Sequence, residues 1–240
     1  MPTLRPPLIK GEIYHIVLRA IEGLKLFRDD KDYFRMIHDL FEFNDEAAAI
    51  STYRQFQKKN ASRSVLDVLT ERRKRKLLVE ILGFCLMPNH IHLLVRQLQG
   101  GGISKFMRKI GAGYGLYCNQ KYERRGRLFD GRYKIVLIKD DEQLKTVFVY
   151  IHTNPVALFV PNWKERGIES RDLEKILKLI GEYRWSSYPD YLGEKNFPSL
   201  TSREFLTKTM GSQNSCREFV KGWLQFKTEV KKALKEVGLE

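Results

Sequence analysis

A pair of apolar segments joined by a short turn places the strongest constraint on how this chain can fold. Residues 77–87 and 91–95 are rich in strand-forming apolar side chains, and Pro88 and Asn89 stand between them. Proline and asparagine favour tight turns, and strand-like runs on both sides of such a turn are typical of an antiparallel hairpin. The sequence therefore predicts a β-hairpin over residues 77–95.

Strand and helix patterns alternate on both sides of this hairpin. Segments rich in β-branched and aromatic residues predict strands, and apolar residues at helical spacing predict helices. The last of these helices should end at Asn154, because Pro155 disfavours helical geometry at the residue before it. The order β-α-β-β-α-β-α predicts an α+β fold, an antiparallel sheet of the ferredoxin-like (split βαβ, RRM-like) type with helices on one face. The first and fourth strands in sequence are predicted over residues 12–20 and 132–138. The helices are predicted over residues 29–43, 103–122 and 140–154.

Two domain-level expectations follow from the same patterns. Residues 1–160 should form the domain that contains the sheet, with a polar insertion near residues 45–76. Residues 161–240 should form a mainly helical C-terminal extension, which ends in an amphipathic segment over residues 224–239.

The charge balance indicates a polyanionic partner. Lysine and arginine total 43 against 29 acidic residues, a net charge of +14. Nucleic acid or an anionic membrane would suit such a chain. No run of about eighteen apolar residues and no signal-peptide pattern are present, which argues against a membrane. Three widely spaced cysteines form no CxxC pair, so we expect a protein of the reduced cytoplasm. We also expect it to be nucleoid-associated and to be a monomer or a homodimer.

Two histidines in the second strand of the hairpin are candidate metal ligands. His90 and His92 are two residues apart, and side chains two apart on a strand point to the same face. Two neighbouring imidazoles could share one divalent metal ion. The alternative is a pair of histidines satisfied by hydrogen bonds on a half-buried sheet face.

A tyrosine and an asparagine near the end of the last helix form a second candidate pair. Tyr150 and Asn154 are four residues apart and so lie on one helix face. They offer a nucleophilic phenol and an amide oxygen that could complete a metal site. The alternatives are a core aromatic for Tyr150 and a helix C-cap for Asn154.

These motifs together resemble a known family. The runs LMPNHIHLLV and YIHTNPV, with the segment 126–134 between them, occur in the order typical of HUH single-tyrosine transposases. They are most similar to the REP-associated tyrosine transposases, as are GEIYHI at residues 11–16 and YRWSSY at residues 183–188. The resemblance covers most of the chain, and it departs from the family in the long 45–76 segment and in Phe129, where the family has tryptophan.

The resemblance implies a DNA-nicking and rejoining enzyme. It makes His90 and His92 metal ligands for Mg²⁺ or Mn²⁺, Tyr150 the nucleophile and Asn154 the third ligand. Single-stranded or hairpin DNA would be cut through a 5′-phosphotyrosine intermediate. His152 is a metal-binding residue type but should face away from Tyr150. Tyr114 and Tyr117 are assigned to packing or DNA contact.

A basic segment beside these motifs is the candidate DNA-binding surface. Residues 121–134 contain six basic residues, interleaved with Tyr122, Phe129 and Tyr133. Basic groups can follow phosphates while aromatic faces stack on bases. The alternative is an ordinary solvated charge run. The candidate contacts, including neighbours in the preceding helix, are Lys105, Arg108, Lys121, Arg124, Arg125, Arg127, Arg132 and Lys134.

Three alternative functions can be weighed against the features of this sequence. An RNA-recognition domain would need its aromatic strand signature, which this sequence lacks. A zinc hydrolase would need a nearby carboxylate or the H-E-x-x-H spacing, which is also missing. A domesticated relative that binds hairpins without cutting them has the same sequence features as an active enzyme.

Overall fold

The structure is a computed structural model, and it describes residues 5–47, 75–166, 168 and 170–225. The predicted insertion near residues 45–76 falls mostly outside these residues, and so does most of the predicted segment 224–239. The described helices include none that is both long enough and apolar enough to cross a membrane.

The described strands form one four-stranded antiparallel sheet in the order β2-β3-β1-β4. A helix connects β1 to β2, the Pro88–Asn89 turn connects β2 to β3, and a second helix connects β3 to β4. This arrangement is the predicted ferredoxin-like sheet, so the fold class is confirmed. The strands are β1 (Ile13–Arg19), β2 (Val79–Met87), β3 (His90–Gln97) and β4 (Lys134–Leu137).

The two connecting helices cover one face of the sheet. Helix α1 (Asp30–Glu42) begins with a capping box in which Asp29 accepts a hydrogen bond from the Asp32 backbone and the Asp32 carboxylate accepts one in return. Helix α2 (Gly102–Lys121) runs through its three central glycines without a break. Gly113 allows close packing there, because a Cβ at this position would lie 2.3 Å from the Phe43 ring.

A second layer of helices covers the opposite face. Helix α3 (Asp141–Thr153) packs against β2 and β3, and the 3₁₀ turn Asn154–Leu158 follows it directly. The α-helix ends next to the predicted residue, but Asn154 keeps helical backbone angles (φ −53°, ψ −40°), contrary to the expectation from Pro155. The prediction of helices on one face of the sheet therefore holds for α1 and α2. Helix α3 and the C-terminal helices form a second layer on the other face. These later helices are α4 (Trp163–Arg166), α5 (Ser170–Gly181), α6 (Tyr188–Tyr191), α7 (Glu204–Met210) and α8 (Gln213–Gln225).

The C-terminal extension is attached to the sheet through the segment YRWSSY. The Tyr183 hydroxyl donates to the Leu86 carbonyl at 2.7 Å, and the Leu86 amide donates to the Trp185 carbonyl at 2.8 Å. Ser187 accepts a hydrogen bond from the Phe84 amide at 2.9 Å. The extension therefore covers the edge of β2 that would otherwise expose unpaired backbone groups.

Candidate active site

One face of the sheet gathers three histidines and an arginine. In the sheet register His90 lies beside Arg19, and His92 lies beside Val17. Directly paired residues share a face, and so do residues two apart on a strand. His15 therefore lies on the same side, and we call this side the histidine face. The prediction that His90 and His92 project together is confirmed by this register.

The rings on this face are packed closely. His92 Nδ1 lies 3.0 Å from His15 Nε2, and the two ring planes are within 2° of parallel with centroids 5.2 Å apart. The His90 ring meets His92 edge-on at 4.8 Å, and its Nδ1 is 2.7 Å from the Asn89 side-chain oxygen. His92 Nε2 is buried and has no hydrogen-bond partner in the described part of the chain.

Burial keeps these imidazoles neutral. It lowers the pKa of His15 to about 3 and that of His90 to about 4, with the charges of Arg19 and Lys164 adding to the effect at His90. Burial also lowers the pKa of His92 well below its usual value, and neighbouring His15 and His90 lower it further. A neutral imidazole has a free lone pair on one nitrogen, which is the form that binds a metal ion.

Tyr150 lies directly over the histidine face. Its ring meets His92 edge-on with centroids 5.5 Å apart and meets His15 in the same way at 6.0 Å. The side chain is 5% exposed, so little of it is in contact with solvent. Lys164 Nζ lies 4.5 Å from the centre of the Tyr150 ring, which brings a positive charge from α4 to the site.

Asn154 lies one helical turn beyond Tyr150. Its side-chain nitrogen donates to the Tyr150 backbone carbonyl at 2.7 Å, so it caps the end of α3. The alternative that Asn154 is a helix C-cap is therefore correct for its side-chain nitrogen. With the nitrogen engaged, the amide oxygen is the group that could bind a metal ion, and the two roles are compatible.

His152 faces away from the histidine site, as predicted. Its Nε2 lies 2.8 Å from the Ser187 hydroxyl, and its ring stacks on Tyr188 at 5.5 Å. It is 1% exposed and belongs to the packing between α3 and the C-terminal extension.

His152 makes the stability of the fold depend on pH. Burial lowers its pKa to about 3 from 6.5, so the unfolded chain binds the extra proton between those values and acid destabilises the fold. At pH 5 we expect a loss of about 2 kcal/mol from this residue relative to pH 7. The amide of His152→Gln can still bond to Ser187. Urea unfolding should show that the free energy of unfolding falls less in this variant than in wild type between pH 7 and pH 5. Equal losses in the variant and the wild type would contradict this.

The other candidate tyrosines are engaged in packing. Tyr114 is fully buried, and its hydroxyl donates to the Leu26 carbonyl at 2.8 Å. The Tyr117 hydroxyl donates to the Asp32 carboxylate at 2.9 Å, and burial together with this bond raises the pKa of Tyr117 to about 12. Both hydroxyls are hydrogen-bonded within the fold, which agrees with the packing alternative of their assignment to packing or DNA contact.

The basic segment ends beside β1, the strand that carries His15 and Arg19. The Asp130 amide donates to the Arg19 carbonyl at 2.9 Å, and Lys134 pairs with Val17 on β1. The segment thus meets the sheet at the same end as His90. Phe129 is 8% exposed and packs in the core under α2, so it offers no face for base stacking.

The predicted DNA contacts differ in their availability. Lys121 is paired with Asp29 and Asp32 at 2.8 Å and 2.7 Å, and Arg124 donates to the Asn119 side chain at 3.1 Å. Lys105 is half-buried on α2. The exposed members of the set are Arg108, Arg125, Arg127, Arg132 and Lys134.

Sequence reasoning missed three residues of this site, His15, Arg19 and Lys164. The alternation of β1 indicates that His15 and Arg19 share a face, but only the strand order shows that this face also carries His90. Lys164 follows a turn and has no spacing that links it to Tyr150.

The side chains present fit a divalent metal ion. The unpartnered Nε2 of His92 is costly to bury unless something binds it. No group of three or more histidine, cysteine, aspartate or glutamate side chains is placed to hold a metal within the described ranges. A metal at this face would therefore depend on two imidazoles and on oxygen donors such as the Asn154 amide and the substrate.

The sheet and its histidine face define an α+β protein with paired imidazoles beside a helix-borne tyrosine. A family model described as "Transposase IS200 like" matches residues 39–154, from the middle of α1 to Asn154. Through this region, just under half of its length, the chain is similar to the IS200-like transposases. The matched region contains His90, His92 and Tyr150, whereas His15 lies before it and Lys164 after it.

Other comparisons are more distant. A solved structure entitled "Structure of the REP associates tyrosine transposase bound to a REP hairpin" is 14% identical, with a TM-score of 0.49, over 85% of this chain and 93% of that one. A search of curated proteins finds no significant match.

Proposed function

We propose that this protein is a metal-dependent endonuclease and transposase that nicks single-stranded DNA and rejoins it through a 5′-phosphotyrosine. The observation that carries the proposal is the position of Tyr150, whose ring packs edge-on against His92 on the histidine face. A phenol held beside two neutral imidazoles is suited to attack a phosphodiester that is bound at the same place.

The reaction exchanges one phosphate ester for another. The Tyr150 Oη–phosphorus bond forms while the bond from phosphorus to the 3′ oxygen breaks. The phenolic proton leaves to solvent, and the departing 3′ oxygen takes up a proton. Because the new bond is also a phosphodiester, a second 3′-hydroxyl can reverse the step without another energy source.

His90, His92 and Asn154 would hold a Mg²⁺ or Mn²⁺ ion. When bound, this ion would withdraw charge from the phosphate and stabilise the departing oxygen. The two imidazoles are neutral at pH 7, since burial lowers the pKa of each. The Asn154 side-chain nitrogen donates to the Tyr150 backbone carbonyl, so the amide is fixed on the helical turn that carries the nucleophile.

Two cations at the edge of the site would position the phosphate. Arg19 lies beside His90 in the sheet, and Lys164 lies over the Tyr150 ring. The charge of either group would attract a non-bridging phosphate oxygen. The ammonium group of Lys164 would also favour the phenolate form of Tyr150 as the proton leaves.

The substrate proposed here is single-stranded DNA flanked by a hairpin. Tyr150 is borne on a helix and is 5% exposed, so a phosphate inside a regular duplex would not reach it. An unpaired strand can bend into the site while exposed arginines of the neighbouring segment bind the phosphates beside it.

The direct test is incubation with hairpin-bearing single-stranded DNA and Mn²⁺, followed by denaturing electrophoresis. We expect a covalent protein–DNA adduct and a product with a free 3′-hydroxyl. Chelation of the metal should prevent both. Hairpin binding without any adduct, across Mg²⁺ and Mn²⁺, would instead indicate a relative that binds hairpins and no longer cuts them.

The exposed arginines of the basic segment should account for much of the salt dependence of DNA binding. We expect replacement of Arg125, Arg127 and Arg132 by alanine to weaken binding. The slope of log affinity against log salt should fall by about 2, since each phosphate contact on a single strand contributes roughly 0.7. Fluorescence anisotropy over a salt series measures this slope.

A matched control removes the same charge elsewhere. Three exposed lysines of the C-terminal extension can be replaced by alanine, and this variant should keep the wild-type slope. If the slope of log affinity against log salt falls in the lysine variant and stays at the wild-type value in the arginine variant, the DNA binds to the C-terminal extension. The control residues are Lys175, Lys178 and Lys208.

A further inference from the structure

We propose that His15 is a positioning residue for the metal site, which sets the tautomer and ring orientation of His92. The inference rests on the proposed function, since it concerns the nitrogen of His92 that would bind the metal ion. It adds a residue that lies outside the region matched by the family model.

The contact between the two rings is direct and buried. His15 Nε2 and His92 Nδ1 are 3.0 Å apart, and each residue is 1% exposed. The ring planes are within 2° of parallel. His15 is on β1 and His92 on β3, in diagonal positions of paired strands, so the backbone of the sheet holds both rings in place.

A hydrogen bond between two neutral imidazoles allows two arrangements. In one, His92 carries its proton on Nδ1, donates it to His15 Nε2 and keeps a lone pair on Nε2. In the other, His15 donates and His92 carries its proton on the buried Nε2, which has no partner among the described residues. Only the first arrangement lets His92 Nε2 bind a metal ion. Ligating histidines commonly donate their other ring nitrogen to a neighbouring acceptor in this way.

Stability alone does not explain a histidine at position 15. Its Nδ1 is buried without a hydrogen-bond partner in the described chain, which costs roughly 1–3 kcal/mol. A leucine of similar volume would avoid that cost on a sheet face that is otherwise covered by packing. The acceptor at Nε2 is what histidine supplies and leucine does not.

His15 also contacts the nucleophile. Its ring meets the Tyr150 ring edge-on at 6.0 Å, while Tyr150 meets His92 at 5.5 Å. The three rings therefore form one packed group, in which the orientation of His92 is fixed on one side by His15 and on another by Tyr150.

Two variants separate positioning from packing. His15→Leu keeps the volume and removes the acceptor, whereas His15→Gln supplies an amide oxygen that can accept from His92 Nδ1. We expect Mn²⁺ affinity in the absence of DNA to fall about 10- to 100-fold in His15→Leu and to stay within a few-fold of wild type in His15→Gln. Isothermal titration calorimetry measures this affinity. Thermal unfolding should show that His15→Leu remains folded with a stability close to that of wild type, because the removal of the unpartnered His15 Nδ1 offsets the loss of the acceptor for His92 Nδ1.

Nitrogen-15 NMR of the metal-free protein gives a readout that a packing role would not change. The His92 ring should carry its proton on Nδ1 in wild type and in His15→Gln, and should lose this preference in His15→Leu. An unchanged tautomer or unchanged Mn²⁺ affinity in His15→Leu would overturn the assignment of His15 alone. A wild-type protein that binds no Mn²⁺ and forms no adduct would overturn the proposed function, and the assignment with it.

Discussion

Tyr150→Phe should bind hairpin DNA as wild type does and form no covalent adduct with it. The substitution removes only the hydroxyl oxygen, and the ring can keep its edge-on contacts with His15 and His92. Without that oxygen no phosphotyrosine can form, so the loss of adduct should be complete. We expect the free energy of unfolding to change by no more than about 1 kcal/mol. Gel assays of adduct and anisotropy assays of binding measure the two properties separately.

Tyr114→Phe is the matched control for this prediction. Its hydroxyl is also on a buried tyrosine, but it donates to the Leu26 carbonyl on the other face of the sheet. The control should lose about 1 kcal/mol of stability and still form the adduct. Mass-spectrometric mapping of trapped adduct identifies the modified peptide. DNA on any peptide without Tyr150 would refute the assignment of the nucleophile.

Local patterns were sufficient to predict the elements of the sheet. The apolar runs around Pro88 and Asn89 gave a hairpin whose strands are Val79–Met87 and His90–Gln97. The α-helix that carries Tyr150 ends at Thr153, within one residue of the predicted end, although Asn154 itself keeps helical backbone angles. These features depend on neighbours in sequence, which is why one sequence is enough to predict them.

The helices that cover the histidine face could not be predicted there from local sequence patterns. Helix α3 could pack on either face, and no property of residues 140–154 alone decides between them. One indication was present in β2, where nearly every residue is buried, since a strand that is apolar without alternation is covered on both faces. The β-bulge between Ile81 and Gly83 shifts the alternation along this strand, which makes the indication harder to interpret.

Sequence analysis missed His15, Arg19 and Lys164 for one reason. Each of them is brought to the site by the strand order or by a turn, and neither is visible in local patterns. His15 and Arg19 enter because β1 lies between β3 and β4, and strand order is a long-range property. Lys164 enters because the 3₁₀ turn Asn154–Leu158 redirects the chain toward Tyr150. Conversely, the aromatic pattern of the basic segment suggested base stacking by Phe129, yet this ring fills the core under α2.

Under the proposed function, the buried group would carry out the chemistry and the exposed basic segment would bind the DNA. The imidazoles and Tyr150 lie in a mostly buried group, whereas Arg125, Arg127 and Arg132 are exposed on the segment that meets the sheet at the end of β1. Arginines in solvent can bind phosphates whatever the state of the metal site. Loss of a metal ligand should therefore affect cutting much more than binding.

His90→Ala is the sharpest test of this separation. His90 is only partly buried and its ring nitrogen bonds to the Asn89 side chain, so its removal should leave the sheet folded. His92→Ala is less suitable, because it would leave a cavity beside His15 in a fully buried position. Removal of a ligand should reduce the cleavage rate on the order of 1,000-fold or more, equivalent to a loss of about 4 kcal/mol of transition-state stabilisation.

The expected result for His90→Ala is hairpin affinity within a few-fold of wild type together with loss of both adduct and high-affinity Mn²⁺ binding. His38→Ala is the matched histidine control, because His38 lies on α1, is exposed, and contacts only Asp39 among the hydrogen bonds described for it. This control should cut at the wild-type rate. Cleavage by His90→Ala at the wild-type rate would show that the imidazole is not a ligand, and His92 and Asn154 would then have to hold the metal ion without it.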